Sequence, residues 1–326
     1  MHTGSDFSVV GPHHRREVNV IEGYDVIGDV HGHADKLESL LDQMGYTNDM
    51  GTWAHASRRA VFVGDLIDNG PQQLATVNIV RDMAAAGSAL VSMGNHEFNA
   101  IAWHRGWRER SKKNQEQHEA FLNAVVDDSP IHHELVDWFM RLPLWLDFGD
   151  LRVIHACWDE RSMSVLAPHL AADASMTEDG LRSAATKGTT EYDAVEILLK
   201  GPEVPLPNEL GYLDKKRHPR VDARYRWWSD APTTYHHRAH LPSDSLGLDG
   251  QPHPGFPDTE LPRPLPVHPY VGPPVIYGHY WETGTLQLTS PGTVCVDYSA
   301  GKGGPLVAYR WSGETTLTDA HLIAVR

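Results

Sequence analysis

The sequence is poor in cysteine and has no long hydrophobic run. Only Cys157 and Cys295 occur in 326 residues, which argues against a disulfide scaffold or a zinc ribbon and fits a reducing compartment. No apolar stretch approaches the roughly 20 residues needed to span a bilayer, and residues 1–18 contain no apolar core of a secretion signal. We therefore expect a cytoplasmic protein with no membrane partner.

Positive charge is also scarce. The chain has 28 Lys and Arg residues against 43 Asp and Glu residues, so its formal net charge is −15 with neutral histidine. This balance disfavours nonspecific binding to nucleic acid. It leaves a phosphorylated substrate open, because bound cations would set the local charge of a binding site.

Strand, polar loop and helix alternate through the first hundred residues. Apolar runs indicate strands at 24–28, 59–64 and 89–93. Helical spacing follows each of them, at 33–44, at about 71–86 and from 97 onward. This alternation is typical of an α/β fold with a parallel sheet, in which ligands bind beyond the carboxyl ends of the strands.

The second half of the chain indicates more helix and a second sheet. Helical patterns cover 116–142 and about 160–198, and a hairpin is predicted at 144–156 with its turn at Gly149-Asp150. Further strands are predicted at Val275, near Leu286, at Val294 and at Leu306. We interpret these strands as an antiparallel second sheet.

Composition changes sharply between Gly201 and Pro274. This segment is rich in Pro, Gly, His and Asp and has little periodicity. A loop of that length is usually functional or disordered, and we interpret it as a lid or cap that is partly ordered around 224–228. We predict a flexible tail at 1–19 and a single domain at 20–326, with the insertion at about 200–270.

Polar clusters follow five of the apolar runs. They are Asp29 and His31 within 28–32, Asp65 within 64–71, Asn95 within 94–97, and the single residues His155 and His279. Hard oxygen donors mixed with imidazoles suit Mn, Fe, Zn or similar divalent ions. One such cluster is a weak signal, but five in one chain predict a single dinuclear metal site.

A two-metal phosphoryl-transfer site needs one carboxylate shared by both ions and further ligands on each. Asp65 is the candidate bridge. The remaining ligands would be Asp29 and His31 on one ion and Asn95, His155 and His279 on the other. A water shared by two cations becomes a hydroxide near neutral pH and can attack phosphorus in line.

The leaving oxygen of such a reaction needs a proton. His96 is adjacent to the predicted ligand Asn95, and Asp68 lies three residues after the bridge. A histidine oriented by a carboxylate is a good general acid. The pair could instead stabilise the equatorial oxygens of the transition state, and Asp68 could merely cap the following helix.

In order and content, these motifs resemble the calcineurin-like metallophosphoesterase superfamily. The single His in Gly278-His279-Tyr280-Trp281 and the closing segment 294–306 resemble the phosphoprotein-phosphatase branch, which includes bacterial serine/threonine phosphatases and symmetrical diadenosine tetraphosphatases. The resemblance covers roughly 24–156 and 271–311. It implies a four-layer αββα sandwich, with two central sheets flanked by helices, and two divalent transition-metal ions as cofactors.

One position departs from the family pattern. The second motif of the family usually carries an Arg that binds the substrate phosphate, and here that position is Asn69, which cannot supply a bidentate cationic fork. Lys200, Arg224 and Arg226 are our candidates for a replacement cation. The departure weakens any transfer of protein-phosphatase specificity to this chain.

Three functions remain open. The first is hydrolysis of a phosphomonoester, on a phosphorylated small molecule or on phosphoserine or phosphothreonine in a phosphoprotein. The second is hydrolysis of a diadenosine polyphosphate, another nucleotide anhydride or a phosphodiester, for which Trp227-Trp228 would be a nucleobase platform rather than internal packing. The third is a metal-binding scaffold without activity. The segment 301–304 resembles a phosphate loop but lacks the full spacing, so we predict a hairpin turn there.

Overall fold

The structure is a computed structural model that describes residues 21–49, 51–213, 217–242 and 245–326. Its strands are β1 (Gly23–Ile27), β2 (Thr47–Asp49), β3 (Thr52–Ala54), β4 (Arg58–Phe62), β5 (Ala89–Val91), β6 (Trp145–Asp147), β7 (Arg152–Ile154), β8 (Glu203–Pro205), β9 (Tyr212–Leu213), β10 (Pro219–Arg220), β11 (Asp222–Tyr225), β12 (Ala239–His240), β13 (Leu246–Gly247), β14 (Val275–Tyr277), β15 (Thr293–Cys295), β16 (Leu306–Trp311) and β17 (Leu322–Val325). Its α-helices are α1 (Ala34–Gln43), α2 (Gln73–Ala85), α3 (Asn95–His104), α4 (Lys112–Val125), α5 (Pro130–Phe139), α6 (Glu160–Leu166), α7 (Glu178–Ala184), α8 (Thr190–Lys200) and α9 (Tyr235–Arg238). The predicted tail at 1–19 lies outside the described residues.

The first sheet has β1 at its centre. Its strand order is β17-β16-β1-β4-β5. Strands β1, β4 and β5 are parallel, while β16 pairs antiparallel with β1. Val26 and Val61 are paired in register and fully buried, as expected for parallel strands that are covered on both faces. The predicted parallel sheet with crossover helices is confirmed.

A buried ion cluster joins three strands of this sheet. Asp25 on β1 is fully buried. It accepts hydrogen bonds from Arg58 Nε on β4 at 3.0 Å, from Arg310 Nε on β16 at 2.9 Å and from the Tyr46 hydroxyl at 3.1 Å. Because both carboxylate oxygens have partners, the cost of burying this charge is offset.

The second sheet corrects the prediction for the C-terminal half. Its order is β15-β14-β7-β6, and β14 is parallel to both of its neighbours. Only β6 and β7 form an antiparallel hairpin, at the predicted turn. The prediction of an antiparallel sheet was wrong because β7, β14 and β15 are joined by long crossovers, which parallel pairing requires.

Two further predictions about this half were wrong. No strand forms near Leu286, which lies in an irregular segment. Strand β16 belongs to the first sheet, so residues 296–305 connect the two sheets and do not close a hairpin. A short 3-10 turn, Ala300–Lys302, lies in this connection.

The two sheets pack face to face across an apolar layer. This layer contains Val26 and Val61 from the first sheet and Val153, Ile276 and Val294 from the second, all fully buried. The strand residues that alternate with these face outward and pack against helices, since successive side chains of a strand point to opposite faces. The result is the predicted sequence of helix, sheet, sheet and helix.

The predicted helical region 116–142 divides into α4 and α5. Val126 has a positive φ of 62° and ends α4. Ser129 then begins α5, with its side chain accepting the His132 N–H and Pro130 in the first turn.

No helix within the described ranges is long and apolar enough to cross a bilayer.

The insertion forms two small sheets. Strands β8, β11 and β12 make one, and β9, β10 and β13 make the other. Trp227 is fully buried and its Nε1 donates to the carbonyl of Ala156 at 3.0 Å, while Trp228 is 9% exposed. The contacts therefore favour internal packing of the Trp pair over a nucleobase platform. The function of this segment as a lid stays a prediction.

Candidate dinuclear metal site

The six predicted metal ligands lie at the edge where strands of both sheets end. Asp29 and His31 follow β1, Asp65 follows β4, Asn95 begins α3 after β5, His155 follows β7 and His279 follows β14. Each is at most 7% exposed. The carboxyl ends of parallel strands thus bring together residues that are far apart in the chain.

Asp65 is central to this group. Its Oδ2 lies 3.7 Å from Nε2 of His31, and its Oδ1 lies 3.4 Å from Nε2 of His155. Nε2 of His155 is also 3.1 Å from Oδ1 of Asn95. One set of donor atoms within 4.8 Å of one another belongs to His31, Asp65 and His96, and a second belongs to Asp65, His155 and His279. Asp65 is therefore positioned to be shared by two ions.

The histidines present suitable nitrogen atoms. Nδ1 of His31 lies 2.8 Å from the carbonyl of Ile67, and Nδ1 of His155 lies 2.9 Å from that of Val63. Donation from Nδ1–H to a carbonyl leaves Nε2 unprotonated, as metal binding requires. Nδ1 of His279 is buried and has no hydrogen-bond partner among the described residues. An orphaned nitrogen at this point fits a metal ligand.

Two further buried acids, Asp29 and Asp297, lie near these histidines. Burial raises the pKa of Asp29 well above its usual range, and the charges of Asp297 and Asp65 raise it further. The backbone N–H of His279 donates to Asp29 Oδ2 at 3.2 Å. Buried carboxylates this close favour a bound cation. This donor set of carboxylates, amide and imidazoles therefore fits two divalent ions.

Asp68 is held between two histidines. Nδ1 of His96 lies 2.5 Å from Asp68 Oδ2, and Nδ1 of His118 lies 2.9 Å from each oxygen. Burial alone would raise the pKa of Asp68, but the two histidines outweigh it and lower the pKa. The structure thus pairs Asp68 with His96 and adds His118, on α4, which the sequence did not reveal.

The imidazole of His96 is suited to hold a proton. Burial alone would lower its pKa, but the charge of Asp65 and the hydrogen bond with Asp68 outweigh burial and raise the pKa to about 9. Its Nε2 lies 3.8 Å from Asp65 Oδ2. In the metal-free protein this pKa favours the protonated imidazole at neutral pH, and a general acid must hold a proton.

Glu97 fixes the loops that carry Asp65 and Asn95. It is fully buried and accepts the backbone N–H groups of Asp65 and Leu66, both at 2.8 Å, and that of Gly94 at 3.0 Å. Burial and then the charge of Asp65 raise the pKa of Glu97 to about 7. The sequence did not predict this positioning role, although Glu97 belongs to the polar cluster at 94–97.

Strained backbone concentrates at the same edge. Eleven non-glycine residues in the described part of the chain have φ between 50° and 70°. Seven of them are site residues or their neighbours: His31, Asp65, Asp68, Asn69, His279, Trp281 and Ser299. Such conformations persist only where the surroundings enforce them, and they cluster at functional sites.

The predicted phosphate-binding residues separate into two groups. Arg224 lies against His279, with Nη1 donating to its carbonyl at 2.9 Å and Nη2 3.0 Å from its Nε2. Asn69 lines a small cleft with His31. By contrast, Lys200 pairs with Glu196 on α8.

Arg226 lies apart from the ligands as well. It lines a cavity of about 420 Å³ together with Trp228, His240 and Glu282. No contact of Lys200 or Arg226 with the six ligands is seen in the described ranges. Arg224 is therefore the one of our three candidate cations that adjoins a ligand there.

The two-sheet sandwich and the cluster of predicted ligands at its edge agree with the resemblance to calcineurin-like metallophosphoesterases. A family model described as calcineurin-like phosphoesterase matches residues 24–280. The chain belongs to this family, because the match covers most of its length.

Curated relatives include bis(5'-nucleosyl)-tetraphosphatases. The asymmetrical enzyme of Oceanobacillus iheyensis is 32% identical over 135 residues, 40% of this chain and 54% of the relative. The symmetrical enzyme of Thioalkalivibrio sulfidiphilus is 25% identical over 275 residues, 83% of this chain and 88% of the relative. The chain spans about half the length of the first curated relatives that it matches.

The fold is also that of solved phosphatases. The structure of a cold-active protein tyrosine phosphatase superposes with a TM-score of 0.50 at 15% identity, covering 94% of this chain and 79% of the other. This likeness concerns the fold alone.

Proposed function

We propose that the chain is a dinuclear metal-dependent hydrolase whose substrates are nucleotides with linked phosphates. The observation that carries the hydrolase proposal is Asp65, whose two oxygens face different histidines. A carboxylate shared in this way is the central requirement of a two-metal site. The relatives named above support a nucleoside polyphosphate as the substrate class more than a phosphoprotein.

We propose manganese, iron or zinc as the ions. The mixed imidazole, amide and carboxylate donors suit these metals better than calcium or magnesium. When bound, such ions activate water as a nucleophile and neutralise charge on the phosphoryl oxygens. Asp29, His31, Asp65, Asn95, His155 and His279 would hold them.

The residues around the ligands supply the remaining chemistry. His96, protonated at neutral pH, donates its proton to the leaving oxygen, and Asp68 keeps the imidazole in the required orientation. Arg224 adjoins the ligand His279 and binds a phosphoryl oxygen with its guanidinium group. Asp297 stays buried beside Asp29 and orients the turn that follows His279.

A small-molecule substrate is further supported by the cavity that Arg226 lines. Its volume of about 420 Å³ falls in the range of sites for small molecules. Arg226 is two residues from Arg224, and Glu282 is three residues from His279. None of the six predicted ligands lines this cavity, so its assignment to a nucleoside attached to the reacting phosphate rests on these two sequence neighbours and is part of the proposal.

The experiment compares three substrates on one preparation. After chelation, Mn, Fe or Zn is restored and kcat/KM is measured for diadenosine tetraphosphate, p-nitrophenyl phosphate and a phosphoserine peptide. We expect turnover to require the metal for every substrate that is hydrolysed, with the highest kcat/KM for diadenosine tetraphosphate. Turnover of the peptide with the nucleotide untouched would show that the substrate class is wrong.

A matched pair of variants tests the bridge. Asp65→Asn should lower bound metal from two ions per chain and reduce kcat by at least about a hundredfold. The control Asp173→Asn, at an exposed position outside the group of predicted ligands, should retain the bound metal and the kcat of the wild type. No acceleration by any divalent ion over the chelated control would overturn the hydrolase proposal itself.

A further inference from the structure

A small cleft beside the predicted ligand His31 is lined by a cation, Lys302. Asn69 stands where the family usually has a phosphate-binding Arg. The cleft that Asn69 lines also contains the ligand His31, the indole of Trp281 and the side chain of Lys302. Lys302 therefore shares a cleft with the position at which a cation is lacking.

The turn that carries Lys302 is packed tightly against a metal ligand. A Cβ added to Gly301 would lie 2.8 Å from the imidazole of His31, so no larger residue fits there. Nζ of Lys36 donates to the carbonyl of Gly304 at 2.6 Å and lies 3.4 Å from that of Ala300. The turn Ala300–Lys302 is thus held by contacts with His31 on one side and Lys36 on the other. These contacts place Lys302 beside the predicted metal ligands.

Trp281 orients the two cations that adjoin the site. Its backbone has a φ of 56° and its N–H donates to Asp297 Oδ2 at 2.9 Å. Nζ of Lys302 lies 3.1 Å from the centre of the Trp281 ring, and Cζ of Arg224 lies 5.8 Å from it. Cations are attracted to the face of an indole. One aromatic side chain therefore gathers both positive charges next to the metal ligands.

We propose that Lys302, held on Trp281, binds a phosphate adjacent to the one attacked, in a substrate with linked phosphates. This role deepens the proposed function and rests on it for the position of the reacting phosphate. A phosphomonoester offers one phosphoryl group, which the ions and Arg224 neutralise. A phosphoric anhydride carries further anionic oxygens, and a lysine outside the ligand set is suited to bind them.

The test measures binding and selectivity in the full-length, metal-loaded protein. The variants are Lys302→Ala, Lys302→Arg and Trp281→Ala, with Lys187→Ala, at an exposed position on the segment between α7 and α8, as the matched control. Calorimetry gives the dissociation constants of inorganic tripolyphosphate and orthophosphate. Kinetics give kcat/KM for diadenosine tetraphosphate and p-nitrophenyl phosphate.

Lys302→Ala should weaken tripolyphosphate binding about tenfold, as expected for one charge-assisted contact, and weaken orthophosphate binding much less. The preference for the anhydride over the monoester should fall by a similar factor. Lys302→Arg should keep most of the binding, and Trp281→Ala should weaken it. Equal losses for both anions, or no loss in Lys302→Ala, would overturn the proposal.

Failure of the proposed function gives a different pattern. If no phosphate ester or anhydride is hydrolysed by the wild type while tripolyphosphate binding still depends on Lys302, the binding role stands and the hydrolase role is wrong. If hydrolysis is normal in Lys302→Ala with unchanged selectivity, the hydrolase role stands and the role of Lys302 is refuted.

Discussion

Replacing His118 with alanine removes one of the two side chains that hold Asp68. Nδ1 of His118 lies 2.9 Å from both Asp68 oxygens, and the two residues are 3% and 1% exposed. A hydrogen bond to a charged group contributes about 1.5–3 kcal/mol, which corresponds to about 10- to 150-fold in rate if it is lost only in the transition state. Because His96 keeps its own bond to Asp68, we expect the lower end, about tenfold in kcat.

The leaving group separates this effect from a general disturbance. A poor leaving group such as phenolate depends more on the proton of His96 than p-nitrophenolate does. The loss in kcat should therefore be larger for phenyl phosphate than for p-nitrophenyl phosphate. KM should change little, because His118 is buried and contacts Asp68.

The amide of His118→Asn can donate to Asp68 in place of Nδ1, so this variant should recover most of the rate that His118→Ala loses. Metal content and melting temperature are measured for both variants. If His118→Ala folds, binds two ions and turns over phenyl phosphate as fast as the wild type, the inferred orientation of His96 by Asp68 and His118 is wrong.

Two predictions concern stability. Asp25→Ala leaves the partly buried cations Arg58 and Arg310 without their shared carboxylate, so the free energy of unfolding in denaturant should fall by about 3 kcal/mol, and a loss below about 1 kcal/mol would contradict this. Burial, and then the charge of His104, lower the pKa of His132 from 6.5 to about 4. The unfolded chain therefore binds a proton that the folded chain resists, and stability should decline as the pH falls from about 6.5 towards 4. His132→Asn, which keeps an acceptor for the Asp128 N–H, should show a smaller drop in melting temperature between about pH 7 and about pH 5, whereas an equal drop would exclude His132 as a source of the acid sensitivity.

The sequence predicted the first sheet well for a physical reason. Strands β1, β4 and β5 are largely buried on both faces, and each ends in apolar residues that lead into a polar loop. Asp29, Asp65 and Asn95 follow those runs directly. Their convergence follows from parallel strand order alone, without knowledge of any long-range contact.

The second sheet could not be predicted in the same way. Strand β14 pairs with β7, more than a hundred residues earlier in the chain, and β16 crosses to the first sheet. Apolar runs indicate that a strand exists but not which strand it pairs with. The described strands of the insertion could not be predicted either, because each has only two to four residues.

The site residues that the sequence missed lack a local signal. His118 lies in α4 at a position that looks like any other histidine on a helix, and only the fold places it against Asp68. Lys302 lies in a glycine-rich turn for which a hairpin was predicted, and its proximity to His31 depends on the crossing between the sheets. The cytoplasmic location and the single-domain boundaries stay predictions.

The distribution of the ligands over two sheets has a consequence for how activity arises. Asp29, Asp65 and Asn95 follow strands of one sheet, while His155 and His279 follow strands of the other. When only about the first 150 residues have emerged from the ribosome, Asp65 is present without His155 and His279. Capture of the ion assigned to Asn95, His155 and His279 then waits for the long-range docking of the two sheets, which is the slow kind of folding event.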